Sequence, residues 1–365
     1  MKRKEHHKRG ALIVDNKRMA KFEMMSGRLF FLARSRMPAG LCLACFLAST
    51  IPSPAAPPGY VLQWSDDFTN QSLNLNCWSY AQTGWRRSAY NTPSAVAVTN
   101  GCLVISTYTA GGTNFTGFID TAGKVLNSYG YYEAAIQFSN APGNWSAFWL
   151  QSPFVGNTNN NPTNGVETDI FEHRCVDANG NSWLNGGDHA LHWNGYGAAE
   201  QSRSWSSTNL GVGRGFHVYG LLWTSNRYTF YVDGRITWTT NDLVSSALQY
   251  IRLTSEVQSN GWAGAVPSGG YPNAANSPLK MFVDYVRYYA PPIPLELNRT
   301  AATGAVILSF SGESGKNYRV LAGTNLFLPR TNWTILAGGT FGPGWINYTD
   351  DSAVIPRKFY GIASP

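Results

Sequence analysis

The stretch Gly165-Val166-Glu167-Thr168-Asp169-Ile170-Phe171-Glu172-His173 decides the reading of the whole chain. Its polar and apolar residues alternate as in a β-strand, which puts Glu167 and Asp169 on one face. Glu172 stands three residues beyond Asp169, so a regular strand would turn it to the opposite face. A β-bulge inserts one residue and returns Glu172 to the side of the other two acids. The same β texture spreads outward in both directions: CLVISTYTA (102–110), GYYEAAIQF (130–138), FHVYGLLWT (216–224), RYTFYVDG (227–234) and MFVDYVRYY (281–289). These runs are β-branched and aromatic, with Gly, Asn, Pro and Ser between them. Asp233-Gly234 is a hairpin turn signal. No long run has a 3.6-residue period; at most a turn or two of helix fits at 241–248. So many short strands in about 230 residues predict an all-β sandwich.

The composition allows a packed core. Of 365 residues, 43% are hydrophobic and 14% aromatic, whereas 13% are charged. The net charge of +7 is misleading, because residues 1–55 hold eleven Lys/Arg against three Asp/Glu and the remainder is close to neutral. No basic patch is left to bind phosphates, so nucleic acid is not an expected partner. Arg28, Arg34 and Arg36 precede the apolar stretch MPAGLCLACFLAST (37–50), and small residues at Ser53 and Ala55 follow. Residues 1–56 therefore read as a secretion signal, with Met25 as a candidate true start; the apolar run is too short to span a bilayer. The expected mature protein is secreted, monomeric and without a membrane span. Cys77, Cys102 and Cys175 lie beyond the leader, an odd number without metal-ligand spacing. Pairing of Cys77 with Cys102 and three free thiols both remain open. Pro291–Pro294 reads as a linker between a domain at 57–290 and a small β-sandwich of the fibronectin type III sort at 295–365.

The acids at 165–173 carry the chemistry. Four effective strand steps of about 3.3 Å separate the two glutamates by roughly 13 Å along the backbone, and inward-leaning side chains leave roughly 5 Å between carboxyl groups. That is the separation at which one carboxylate attacks an anomeric carbon and the other donates a proton, with retention of configuration. Asp169, between them, raises the proton affinity of the acid through its own charge. A solvated acidic strand or a calcium-binding edge would carry the same residues.

The residues at 60–290 resemble glycoside hydrolase family 16, whose fold is a concanavalin-like β-jelly-roll sandwich. The resemblance runs in order through WSDDF (64–68), NCWSY (76–80), NGCLVIS (100–106), YGYYEAAIQF (129–138), NWSAFWLQ (144–151) and ETDIFE (167–172). It implies Glu167 as nucleophile, Asp169 as assisting carboxylate and Glu172 as general acid/base. It also implies a polysaccharide substrate, either β-glucan or β-galactan, cleaved internally. The bulged spacing is similar to that of laminarinases, agarases and carrageenases. Trp145, Trp149, His192, Trp193, Trp262, Trp85 and Arg86 are the implied substrate-binding residues. No organic cofactor or catalytic metal is expected, although Asp284 sits where relatives hold a structural calcium. The chain departs from the pattern at Ala135, Ser146 and RLTSEVQSNGW (252–262), where Glu256 is either a substrate acceptor or a paired structural acid. Segments 83–95, 110–125, 154–164 and 175–205 are the expected cleft loops. A non-catalytic polysaccharide binder and a transglycosylase are the alternative functions.

Overall fold

A computed structural model describes residues 56–364, apart from 158–163, 260, 301–302, 313–314, 326–327, 329 and 353–357. The predicted leader thus lies almost wholly outside the described residues. Two eight-stranded sheets dominate. In the first, the path runs Arg235–Thr240, Arg227–Val232, His217–Thr224, Gly130–Gln137, Lys280–Ala290, Cys102–Ser106 and Val96–Thr99, with Val61–Asp66 also on Lys280–Ala290. In the second it runs Gln201–Ser207, Gly187–Trp193, Glu167–Arg174, Asn144–Gln151, Gln249–Val257, Phe118–Asp120 and Ser79–Tyr80, with Leu126–Asn127 also on Gln249–Val257. The pairings within both are antiparallel.

Alternation explains how these sheets join. Phe148, Leu150, Ile170, Phe171, Leu191, Ile251 and Leu253 of the second sheet meet Tyr132, Ile136, Tyr219, Leu221, Trp223 and Val283 of the first in one buried core. The intervening residues of the second sheet are then free to face a cleft. The hairpin at Asp233-Gly234 has both residues at positive φ, 49° and 74°, the mirror-image turn that matches strand twist.

Past residue 290 the strand ends, and Pro291–Pro294 carries no strand. Two three-stranded sheets follow: Leu295–Arg299, Val306–Phe310 and Ile346–Asp350 in one, and Thr334–Thr340, Asn317–Gly323 and Phe359–Ala363 in the other. Val306, Leu308, Phe310, Val320, Phe341 and Ile362 form a separate apolar cluster there.

Two points that the sequence left open are decided by the structure. Residues 241–248 form turns and irregular chain, and no α-helix occurs among the described residues. No helix among them is long and apolar enough to cross a membrane. Cys77, Cys102 and Cys175 are all free thiols, so the Cys77–Cys102 disulfide is not formed. Cys77 accepts a hydrogen bond from Asn74 instead, at 3.5 Å.

Candidate active site

The acidic strand is bulged, and the bulge is at Ile170. Against Asn144–Gln151, Asp169 pairs with Trp149 and Phe171 with Phe148, which leaves Ile170 as the extra residue. Against Gly187–Trp193, Asp169 pairs with Ala190 and Glu172 with Asp188, so His189 alone faces Ile170 and Phe171. Both Ile170 and Phe171 are fully buried in the sandwich core. Glu167, Asp169 and Glu172 consequently line one cleft. A bulge disturbs the ladder and leaves a backbone group to be satisfied. His189 does this with its side chain: Nδ1 lies 2.7 Å from the Ile170 carbonyl oxygen. A carbonyl only accepts, so Nδ1 carries the proton. Burial pushes the His189 imidazole down to about 4, so it is neutral near pH 7.

The cleft has a volume of about 1030 Å³. Its floor comes from period-2 faces of neighbouring strands. Trp145, Trp149 and Gln151 come from Asn144–Gln151, and Ala190 and His192 from Gly187–Trp193. Small Ser202 and Ser204 from the edge strand keep one side wide. Ala147, opposite Glu172, adds no bulk against the acid. Trp193 does not line the cleft; alternation turns it to the other face, where it packs on the core. Of the expected cleft loops, 110–125 and 154–164 contribute no lining residue among those described, whereas 83–95 does through Trp85 to Arg87 and 175–205 does through residues from Asp188 onward; 258–262, outside those four segments, also contributes.

The turn between Gly84–Arg86 and Ala89–Asn91 explains the arrival of Trp85 and Arg86. Arg87 at its tip has φ of 52°, and the Ser88 N–H bonds the Val257 carbonyl at 3.0 Å. Arg86 Nη2 and Arg87 Nε reach Glu256 at 2.9 and 2.7 Å. Glu256 is therefore a paired acid that anchors the hairpin. Arg87 also covers the Trp145 ring at 4.9 Å, and Trp262 meets Trp145 edge-on at 5.7 Å. Trp85 is 69% exposed and touches Tyr90 edge-on at 5.9 Å. An exposed indole beside hydrogen-bonding groups suits the apolar C–H face of a sugar. Trp85→Ala is expected to raise KM roughly 5- to 30-fold, the equivalent of about 1–2 kcal/mol, with kcat and melting temperature nearly unchanged. Initial rates on a soluble polysaccharide with a parallel thermal melt check it.

Hydrogen bonds single out Glu167. Gln151 Nε2 donates to its Oε2 at 3.1 Å, and the Tyr196 hydroxyl donates to the same oxygen. Tyr250 in turn holds the Gln151 Oε1 at 2.7 Å. Burial raises the proton affinity of Glu167, and the Tyr196 hydrogen bond opposes this by stabilising the anion. Asp169 is pushed well up, by burial and then by Glu172 and Glu167. Glu172 is raised to about 8, first by burial and then by the Asp188, Glu167 and Glu256 charges; Arg174 opposes them. The three acids therefore differ in kind. Glu167 has donors aimed at its carboxylate, and Glu172 favours the protonated form.

Donor atoms of Glu167, Asp169 and His192 lie within 4.8 Å of one another, the one group of three or more His, Cys, Asp or Glu ligands among the described residues. His192 Nδ1 is 3.0 Å from Glu200 and its Nε2 is 3.5 Å from Asp169. The two ring nitrogens of His192 thus each face a carboxylate, one on the acidic strand and one on the loop that follows its own strand. Asp284 belongs to no such group among the described residues.

Sequence reasoning missed Gln151, Tyr196 and Arg252. Gln151 and Arg252 were within reach of it. Continuing the period-2 face from Trp145 and Trp149 gives Gln151, and the face that holds Glu256 gives Arg252. Arg252 lies over the Trp149 ring at 4.5 Å and 3.5 Å from Asp120. Tyr196 comes from an irregular loop whose path depends on the Gly195 N–H bonding the Val155 carbonyl at 2.8 Å, and no local pattern announces it.

A family model described as Beta-porphyranase A-D, GH16 domain, matches residues 60–291. Keratan-sulfate endo-1,4-beta-galactosidase of Sphingobacterium multivorum is 25% identical over 273 residues, which span 69% of this chain and 60% of that relative. Kappa-carrageenase of Pseudoalteromonas carrageenovora is 29% identical over 182 residues, covering 45% of this chain and 44% of that one. The chain thus spans less than two thirds of the length of either curated relative. Among solved structures, porphyranase B from Zobellia galactanivorans superimposes with a TM-score of 0.53 at 20% identity, covering 65% of this chain and 96% of that one. The endo-beta-1,3-glucanase from Pyrococcus furiosus gives 0.51 at 25% identity, covering 63% and 94%. The sandwich is the jelly roll that these structures share, and the matched segment contains the bulged strand and its acids: the chain belongs to glycoside hydrolase family 16.

Proposed function

We propose that this protein is an endo-acting, retaining β-glycanase that hydrolyses internal glycosidic bonds of a polysaccharide. The observation that carries the proposal is the bulge at Ile170, which brings Glu167, Asp169 and Glu172 together in one aromatic-lined cleft. Glu167 attacks the anomeric carbon as the bond to the leaving oxygen breaks, and Glu172 gives that oxygen its proton. In the second half, Glu172 takes a proton from water, the water oxygen bonds to the anomeric carbon, and Glu167 leaves. Asp169 stands between the two acids on the same strand face, and His192 Nε2 approaches it at 3.5 Å. Trp85 supplies an exposed stacking face, and Trp145, Trp149 and Trp262 line the cleft with their faces covered by arginines. A cleft of this volume accommodates several sugar rings, as internal cleavage requires.

The family model is described by β-porphyranases and the first relative by an endo-β-galactosidase, which favours a β-galactan over a β-glucan. The leader at 1–56 supports export to where such polysaccharides occur. The sheets beyond Pro294 serve as an accessory module in this reading. Incubation with agarose, porphyran, carrageenan, keratan sulfate, laminarin and mixed-linkage glucan should release new reducing ends from one galactan as a ladder of oligosaccharides. Proton NMR at early times should show the β-anomer first. An α-anomer, or monosaccharide release alone, would overturn the assignment. Products longer than the starting chains would identify a transglycosylase.

A further inference from the structure

Glu172 has a charged neighbour directly across the sheet that the proposed reaction does not use. Asp188 is its partner on Gly187–Trp193, is 7% exposed and lines the cleft. On the other flank Ala147 offers no polar side chain. The Asp188 carboxylate is held in place: Ser206 Oγ donates to Oδ1 at 2.5 Å, and Arg174 Nε stands 3.4 Å from Oδ2. That second contact is not aligned as a hydrogen bond, and neither atom completes one elsewhere. Arg174 is itself clamped. Its guanidinium lies 4.0 Å from the Trp262 ring and 5.0 Å from the Trp183 ring, and Nη1 donates to the Trp262 carbonyl at 2.6 Å. Its charge compensates Asp188 only in part. The other charged groups around Glu172 are Glu167 and Asp169 on its own strand and Glu256 on Gln249–Val257, and Glu256 is matched by Arg86 and Arg87.

We infer that Asp188 is a positioning residue for proton transfer: its carboxylate, fixed by Ser206 and Arg174, holds Glu172 in the protonated form that a general acid needs. A like charge in a poorly hydrated site disfavours ionisation of its neighbour. After burial, Asp188 is the largest contributor to the raised proton affinity of Glu172. The inference rests on Glu172 being the acid of the proposed reaction.

The acid must be protonated, so activity falls as pH rises through its pKa, and removing the Asp188 charge lowers that pKa. Asp188→Asn is nearly isosteric and should move the alkaline limb of kcat/KM down by about one pH unit. Asp188→Glu, which keeps the charge, should restore it. Ser206→Ala leaves Asp188 more readily protonated and should move the limb the same way by less. A structural role would lower kcat and melting temperature with the limb in place, and an unmoved limb in Asp188→Asn overturns the inference. Carbon-13 NMR titration of the Glu172 carboxyl, identified by its loss in Glu172→Gln, reads the same shift without turnover; an unchanged midpoint also overturns it. If the wild type cleaves no polysaccharide, the proposed function fails, and the NMR titration still decides whether Asp188 acts on Glu172.

Discussion

Glu167→Gln is expected to abolish polysaccharide cleavage, with kcat down by about 10⁵-fold, while the fold persists. Gln is close in size and keeps an acceptor for Tyr196 and Gln151, so the melting temperature should hold or rise slightly once a buried charge is gone. Glu172→Gln should cost roughly 10²- to 10⁴-fold, because it removes proton donation but not the nucleophile. The two roles separate chemically on an activated aryl glycoside. Azide supplied to Glu167→Ala should yield an α-glycosyl azide, since it attacks from the face that Glu167 vacates. With Glu172→Ala it should yield the β-glycosyl azide, since the covalent intermediate still forms on Glu167. Near-normal turnover in either glutamine variant, or azide products of the opposite anomeric form, would remove the assignment of these acids.

The second large effect concerns the bulge. His189→Leu leaves the Ile170 carbonyl buried without its imidazole donor, at a cost of about 1–3 kcal/mol. For a chain of this size that corresponds to a fall of roughly 1–4 °C in melting temperature. Because Ile170 is the residue that returns Glu172 to the cleft face, kcat should fall about tenfold alongside. His189→Gln, whose amide can donate, should recover part of both. Differential scanning calorimetry and initial rates on the same preparations check this. A melting temperature and kcat equal to wild type in His189→Leu would show that the bulge holds without its donor.

Much of the architecture was legible because alternation is a local property. The strands at 130–137, 144–151, 217–224 and 280–290 are where β-branched and aromatic runs predict them, and the Asp233-Gly234 turn follows from the two residue types that tolerate positive φ. At Trp193 the resemblance named two adjacent residues together, and alternation separates them: His192 lines the cleft and Trp193 packs on the core. The absence of a disulfide was not legible, since it depends on where Cys77 and Cys102 lie in space.

The sequence by itself determined that this is an all-β chain and that three acids fall on one strand with a spacing that requires a bulge, because period and residue type act over a few neighbouring positions. The tertiary structure decided how those acids differ. Proton affinity and carboxylate stabilisation depend on groups far away in the chain: Tyr196 and Gln151 on Glu167, Asp188 and Arg174 around Glu172, and His189 on the kink that aligns them. Such couplings fall steeply with distance through space and are indifferent to separation along the chain, so no local pattern carries them.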